Sequence, residues 1–160
     1  MITSESVTAA ELAGLPLFAG LDQTDLESLA AGSARRRLAD GDTLVEAGTP
    51  ISEVHWLERG KLALRVSHDN RWILVSTLHA GDLLGWSALR EDPKALSTAR
   101  AIGPAVLISM PASGLLGLLA GGSAHSQMLL RRLFGIATQH LDESRAQLLQ
   151  LGREGVISAG

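Results

Sequence analysis

The chain has 160 residues, 46% of them hydrophobic, which is one domain's worth of length with material for a single core. A formal net charge of −3, with Arg35-Arg36-Arg37 as the one basic run, argues against a nucleic-acid binder, which shows a basic stripe. Cysteine is absent, which excludes disulfides, thiolate metal sites, cysteine-ligated clusters and a cysteine nucleophile. Met1 to Ala10 carries Glu5 and no basic residue, so it lacks the charged and apolar regions of a secretion signal. No apolar run approaches the roughly 18 residues needed to span a bilayer. These features predict a soluble, cytoplasmic protein with neither a nucleic-acid nor a membrane partner.

The first third is helical in pattern. Ala9 to Leu15 forms a short amphipathic segment that Pro16 interrupts. Asp22 stands at the N-cap of a second helix through Ala31, with Leu26 and Leu29 on its buried face and Asp25 near the positive end of the dipole. From Arg35 to Pro111 the signal changes to short strands broken by turn residues: Asp40-Gly41, Gly48, Gly60, Asp69-Asn70, Gly81 and Gly103-Pro104. Arg35 to Arg37 reads as an exposed edge of the first of these strands. Leu62, Leu64 and Val66 alternate with Lys61, Ala63, Arg65 and Ser67, the period of a half-buried strand. Trp72 to Leu78 is apolar on both faces apart from Ser76 and Thr77, which predicts deep burial. Val106 to Met110 is a further strand that Pro111 ends. Strands at this spacing predict a sandwich, jelly roll or barrel.

After Pro111 the pattern is helical again. Ala112 to Leu119 is short, and Gly121-Gly122 separates it from a long helix starting near Ser123. Leu130, Phe134, Ala137, Leu141, Ser144, Leu148 and Leu151 recur on that helix at four- and three-residue steps, which is heptad spacing. The stripe must pack on something, either the β-domain of its own chain or the same helix of a second chain. Met128 and Leu129 already offer residues to the β-domain, so the stripe is read as a homodimer seam. The whole is one mainly β domain with flanking helices: N-terminal helices over 1–34, a β-roll over 35–111 and C-terminal helices over 112–160.

The segment richest in chemistry is Gly81-Asp82-Leu83-Leu84-Gly85-Trp86-Ser87-Ala88-Leu89, followed by Ser97-Thr98-Ala99-Arg100-Ala101. It reads as a turn, a strand end and a short helix, and then a return into a strand. Glycines let the backbone pass close to a ligand. Free amides around Gly85, Trp86, Ser87 and Ala88 form a cradle for a small anionic effector.

This order of elements resembles the cyclic-nucleotide-binding domain of the CRP/FNR regulator family. The resemblance covers nearly the whole chain. It is carried by Leu17 to Asp22, by Leu44-Val45 before Gly48-Thr49, by Val54-His55-Trp56-Leu57 before Gly60, and by Gly81-Asp82 leading into Gly85-x-x-Ala88-Leu89. It implies a double-stranded β-helix, or jelly roll, with a phosphate-binding cassette at Gly85 to Leu89. Two places depart from the family pattern. A glutamate that accepts from the ribose hydroxyl is replaced by Trp86, and an arginine that pairs with the cyclic phosphate is replaced by Ala95, with Lys94 beside it. Lys94 supplies a point charge but not the planar contact of a guanidinium. A charge-assisted hydrogen bond is worth about 1.5–3 kcal/mol and a stranded ribose hydroxyl costs about 1–3 kcal/mol, so losing both weakens binding by roughly 10² to 10⁴.

Trp86 either plugs the pocket or stacks on a flat ligand. Ser87, Ser97 and Thr98 offer hydroxyls, or satisfy local turns instead. The resemblance also puts Ser144, on the long helix, near the place from which family members reach the base. The effector stays open between a cyclic nucleotide and another small anion. A winged helix-turn-helix follows the long helix in family regulators, and Gly152 to Gly160 is too short for one. The resemblance therefore implies a stand-alone regulatory module acting through an unidentified protein partner, or a ligand-free dimeric scaffold. The five histidines, His55, His68, His79, His125 and His140, include no pair spaced to share one metal from a strand. Ser126 and Asp142-Glu143 read as ordinary helix residues, and there is no tyrosine. Neither a metal site nor catalysis is expected.

Overall fold

A computed structural model describes residues 2–153. In chain order the elements are β1 (Thr3–Ser6), α1 (Ala9–Ala13), α2 (Gln23–Ala31), β2 (Ala34–Leu38), β3 (Thr43–Val45), β4 (Glu53–His68), β5 (Arg71–His79) and β6 (Leu83–Leu84). A 3₁₀ turn (Trp86–Leu89), β7 (Thr98–Pro111), α3 (Ala112–Ala120) and α4 (Ala124–Arg153) complete the chain. The strands form one antiparallel sheet in the order β1-β2-β7-β4-β5, with β3 paired to β7 and β6 paired to β4. The sheet is the β-roll that the resemblance implies, one of the architectures left open by the strand and turn pattern.

Two apolar cores divide the work. Leu57, Leu62, Leu78, Leu84, Ala99 and Leu107 fill the inside of the roll. A second core joins the roll to its helices. Leu12, Phe18, Leu26 and Leu29 meet Val54, Ile108 and Met110 of the sheet, with Leu115 of α3 and Leu129 and Leu133 of α4. A fully buried side chain of this size contributes about 1.5–3 kcal/mol, so this junction is what fixes the base of α4 to the roll.

Four expectations are corrected. The N-terminal segment is not wholly helical: β1 precedes α1 and pairs with β2 from Thr3↔Arg37 to Ser6↔Ala34. That pairing places Arg35 to Arg37 inside the sheet, since β2 lies between β1 and β7. Each of these arginines holds a carboxylate: Arg35 binds Glu58 at 2.7 Å and Glu11 at 2.8 Å, Arg36 binds Glu53 at 2.8 Å, and Arg37 binds Glu5 at 2.9 Å. The basic run is therefore an internal ladder of ion pairs.

The third correction concerns β5. It has one ladder partner, β4, and stands at the end of the sheet, so Trp72 is 61% exposed and Ile73, Leu74 and Val75 are exposed with it. Only Leu78 of this run reaches the core. An apolar sequence on both faces is equally what an edge hairpin carries when its surface is used for contact. The fourth concerns Asp22, which occupies the N-cap position of α2 but makes no side-chain cap bond. Its carboxylate lies instead 3.2 Å from Nδ1 of His125.

One buried polar chain ties the middle of the sheet together. The His55 ring lies 2.7 Å from the Ser109 hydroxyl, to which Arg36 Nε also donates at 3.0 Å. Burial pushes the His55 imidazole down to about 4 from its ordinary 6.5, with Glu53 and Arg36 pulling in opposite directions. A neutral ring here is the state that the apolar surroundings of β4 and β7 accommodate.

Candidate functional site

The site begins where β6 must turn. Gly85 has φ +89°, and a Cβ built on it would lie 2.7 Å from the carbonyl oxygen of Glu53 and 3.3 Å from Cα of Val54. Only glycine permits both the left-handed backbone and this approach to β4. The chain then coils once. The amide of Ala88 donates to the carbonyl of Gly85 at 2.9 Å, and that of Arg90 to the carbonyl of Ser87 at 3.2 Å. The first amides of such a turn have no acceptor within it.

Trp86 opens the turn. Its indole N–H donates to the Leu83 carbonyl at 3.1 Å, which fixes the ring. The ring meets His140 of α4 edge-on, with centroids 6.3 Å apart and planes 70° apart. This aromatic contact connects the cassette to the long helix.

Beside it lies a cavity of about 250 Å³. Val45, Ile51, Leu64, Leu83, Ala95 and Ala99 supply much of its apolar wall, and Ser76, Ser87, Ser97, Ser144 and His140 supply polar groups. Among the described residues no aspartate, glutamate, lysine or arginine lines it. Ala95 stands at the wall, held by the Gly48 amide donating to its carbonyl at 2.7 Å and by its own amide donating to Thr49 at 2.9 Å. Ala95, the position to which the resemblance assigns an arginine, thus presents only a methyl group to the cavity.

Of the residues singled out from sequence, Gly85, Trp86, Ser87, Ser97 and Ser144 line this cavity. Three do not. Ala88 packs behind the turn in the junction core. The Lys94 side chain is 59% exposed and sits 3.7 Å from Asp92. Thr98 lies on the outer face, where its hydroxyl oxygen accepts from the Ala47 amide at 3.1 Å. Ser144 reaches the cavity with its proton already committed, donating to the His140 carbonyl at 2.9 Å. The reading from sequence missed His140, although it lies four residues before Ser144 and hence on the same helix face. It also missed Val75 and Ser76 of β5, for which no local signal exists.

Comparison with known proteins supplies the family. The family described as "Cyclic nucleotide-binding domain" matches residues 35–121, more than half of the chain. Curated proteins give no sequence match. Among solved structures, a cyclic nucleotide-binding domain from Methylobacillus flagellatus KT is similar at TM-score 0.77 and 15% identity, covering 93% of this chain and 88% of that one. A putative cyclic nucleotide-binding protein from Geobacter metallireducens GS-15 is similar at TM-score 0.70 and 20% identity, covering 84% and 98%. The N-terminal domain of a transcriptional regulator from Streptomyces coelicolor A3(2) is similar at TM-score 0.60 and 23% identity, covering 92% and 95%. At these identities the likeness is one of fold. Among the described residues no helix is long and apolar enough to cross a membrane.

The turn geometry makes a differential prediction. Gly48 has φ +81° with nothing within 4 Å of its would-be Cβ, whereas Gly85 meets backbone. Gly48→Ala is expected to cost about 1–2 kcal/mol from left-handed strain alone, and Gly85→Ala at least about 1 kcal/mol more. Urea unfolding of the two variants measures the difference. Equal losses would mean that the approach of Gly85 to Glu53 constrains nothing.

Proposed function

The chain belongs to the cyclic nucleotide-binding domain family, and from that premise we propose that it is a dimeric, non-catalytic regulatory module whose cassette has been altered away from the standard cyclic-nucleotide contacts. The observation that carries this reading is the composition of the cavity wall: a hollow of about 250 Å³ beside the Gly85 turn, with no aspartate, glutamate, lysine or arginine among the described residues that line it. A cyclic phosphate entering it would be met by serine hydroxyls and the amides of a short turn. A flat effector would be met by the Trp86 ring and apolar side chains. Recognition here rests on shape and stacking, with hydroxyl contacts for orientation.

The output runs through α4. His140 and Ser144 belong both to the cavity wall and to this helix, so an effector that changes the packing of Trp86 against His140 biases the position of α4. Such a shift requires the effector to prefer one packing over the other. Leu129 and Leu133 of α4 are buried against the roll, while Leu130, Phe134, Leu141, Leu148 and Leu151 point away from it and are exposed, Phe134 by 69%. An exposed apolar stripe at heptad spacing supports pairing with the same helix of a second copy. A protein partner that reads the arrangement of the two α4 helices completes the module.

Support for the absence of catalysis comes from chemistry. The one group of metal-ligating atoms within 4.8 Å of one another among the described residues is Asp22, Asp25 and His125, and none of these lines the cavity.

Two measurements test the reading. Calorimetry with cyclic AMP and cyclic GMP is expected to find binding weaker than an ordinary micromolar site by about 10² or more. Stoichiometric micromolar binding would contradict the altered cassette, and complete silence toward flat effectors would favour the ligand-free scaffold. Sedimentation is expected to show a dimer that Phe134→Glu with Leu141→Glu converts to a folded monomer. A native monomer at about 100 µM, where even modest affinities populate a dimer, would remove the α4 seam.

A further inference from the structure

We propose that the outer face of the roll carries a second binding site, separate from the cavity beside Trp86, for a nucleoside monophosphate: a flat base bearing a sugar and a phosphate. Four strands meet there. The pairings Thr43↔Arg100, Arg65↔Thr98 and Ser67↔Trp72 bring β3, β7, β4 and β5 side by side, and period-two alternation puts these six residues on one face. They line a groove of about 400 Å³. That volume is in the range of small-molecule sites, about 300–1,000 Å³.

A bulge produces the arrangement. In the β4–β5 ladder Leu64 stands opposite Ser76, but Arg65 stands opposite Leu74, so Val75 is an extra residue. Bulges re-aim side chains. Before this one, Leu64 and Ser76 line the cavity beside Trp86; beyond it, Arg65, Ser67 and Trp72 line the outer groove. The extra residue on β5 thereby brings Trp72 to the face that alternation along β4 gives Arg65 and Ser67.

The chemistry of the groove differs from that of the arginine run on β2. Arg35, Arg36 and Arg37 are each held by a carboxylate. Arg65 is half-buried in the groove wall, and among the described residues its guanidinium has no ion-pair or hydrogen-bond partner within the chain. Arg100 uses Nε on the Gly41 carbonyl at 2.7 Å, which orients it and leaves its terminal nitrogens. Two guanidinium groups on one groove are suited to a phosphate. Trp72 presents its indole, largely exposed, at the same groove. An aromatic ring beside a pair of arginines is suited to a base stacked next to its phosphate.

The remaining polar groups suit the sugar. Thr98 accepts from the Ala47 amide, which leaves its hydroxyl proton to donate. Glu46 also lines the groove and forms no ion pair with either arginine, so its carboxylate is an acceptor for sugar hydroxyls. The groove balances two positive charges against one negative and so favours an anion.

The test uses the whole chain and 5′-AMP as the probe, followed by nuclear magnetic resonance. The three tryptophans give three indole N–H signals. AMP is expected to move the Trp72 indole and the Ser67 and Thr98 amides, leaving Trp86 and Ser87 in place. Arg65→Ala and Arg100→Ala are each expected to weaken AMP by about tenfold or more, and Trp72→Ala by a similar factor. Adenosine is expected to keep the dependence on Trp72 and lose that on the arginines; inorganic phosphate is expected to do the reverse. Circular dichroism establishes that each variant is folded, and Arg65→Lys is expected to recover part of the loss if folding is intact. The proposal is overturned if about 10 mM AMP moves nothing in the groove, if it moves Trp86 and Ser87 instead, or if the arginine variants bind AMP as the native chain does.

Discussion

A missing Cβ organises this molecule. Gly85 lies against the carbonyl of Glu53, and no other residue can turn the chain there without displacing β4. Because it turns there, Trp86 leaves the strand in the direction of α4, donates its indole proton to Leu83 and sets its ring edge against His140. The cavity is the space left under that turn by the walls of the roll. Removing the glycine would move the turn, the ring and the helix contact together, so the site and its connection to α4 share one point of failure.

Charge is distributed with the same economy. The arginines of β2 are committed to carboxylates inside the sheet, and they hold β1 and the middle of β4 rather than any ligand. The cavity wall includes Ala95 and, among the described residues, no aspartate, glutamate, lysine or arginine. An unpaired arginine buried in such a wall would cost several kcal/mol, a cost that alanine avoids. Arg65 and Arg100, which have no carboxylate partner among the described residues, face outward onto the groove. Inner and outer surfaces thus present opposite chemistries from adjacent residues of the same hairpin.

Much of this could be read from the sequence, and the failures have physical causes. Turn glycines and strand alternation identified a domain of short strands, because local rules of backbone conformation act within a few residues; the choice of a roll came from the family resemblance. The Gly85 to Leu89 cassette was legible for the same reason. β5 was misread because Trp72 to Val75 is apolar whether a strand is central or at an edge, and only the sheet order decides which. Arg35 to Arg37 was misread as an edge because β1, which pairs with it, is four polar or charged residues with no apolar signature. Lys94 and Thr98 were placed near the cavity by proximity in sequence, yet a strand sends neighbours to opposite faces: Ser97 and Ala99 line the cavity while Thr98 faces out. The exposed stripe of α4 followed directly from heptad spacing, since a helix cannot hide both Leu129 and Leu130 on one face.

The central claim is that the hollow beneath Gly85 keeps the shape of a cyclic-nucleotide site while lacking its charged contacts. Calorimetry of cyclic AMP with the Trp86→Glu, Ala95→Arg double variant tests it most directly. Restoring both contacts is expected to raise affinity by roughly 10² or more over the native chain. A folded double variant that binds no better than the native protein would contradict the account, because the cavity would then differ from a nucleotide site in shape as well as in charge.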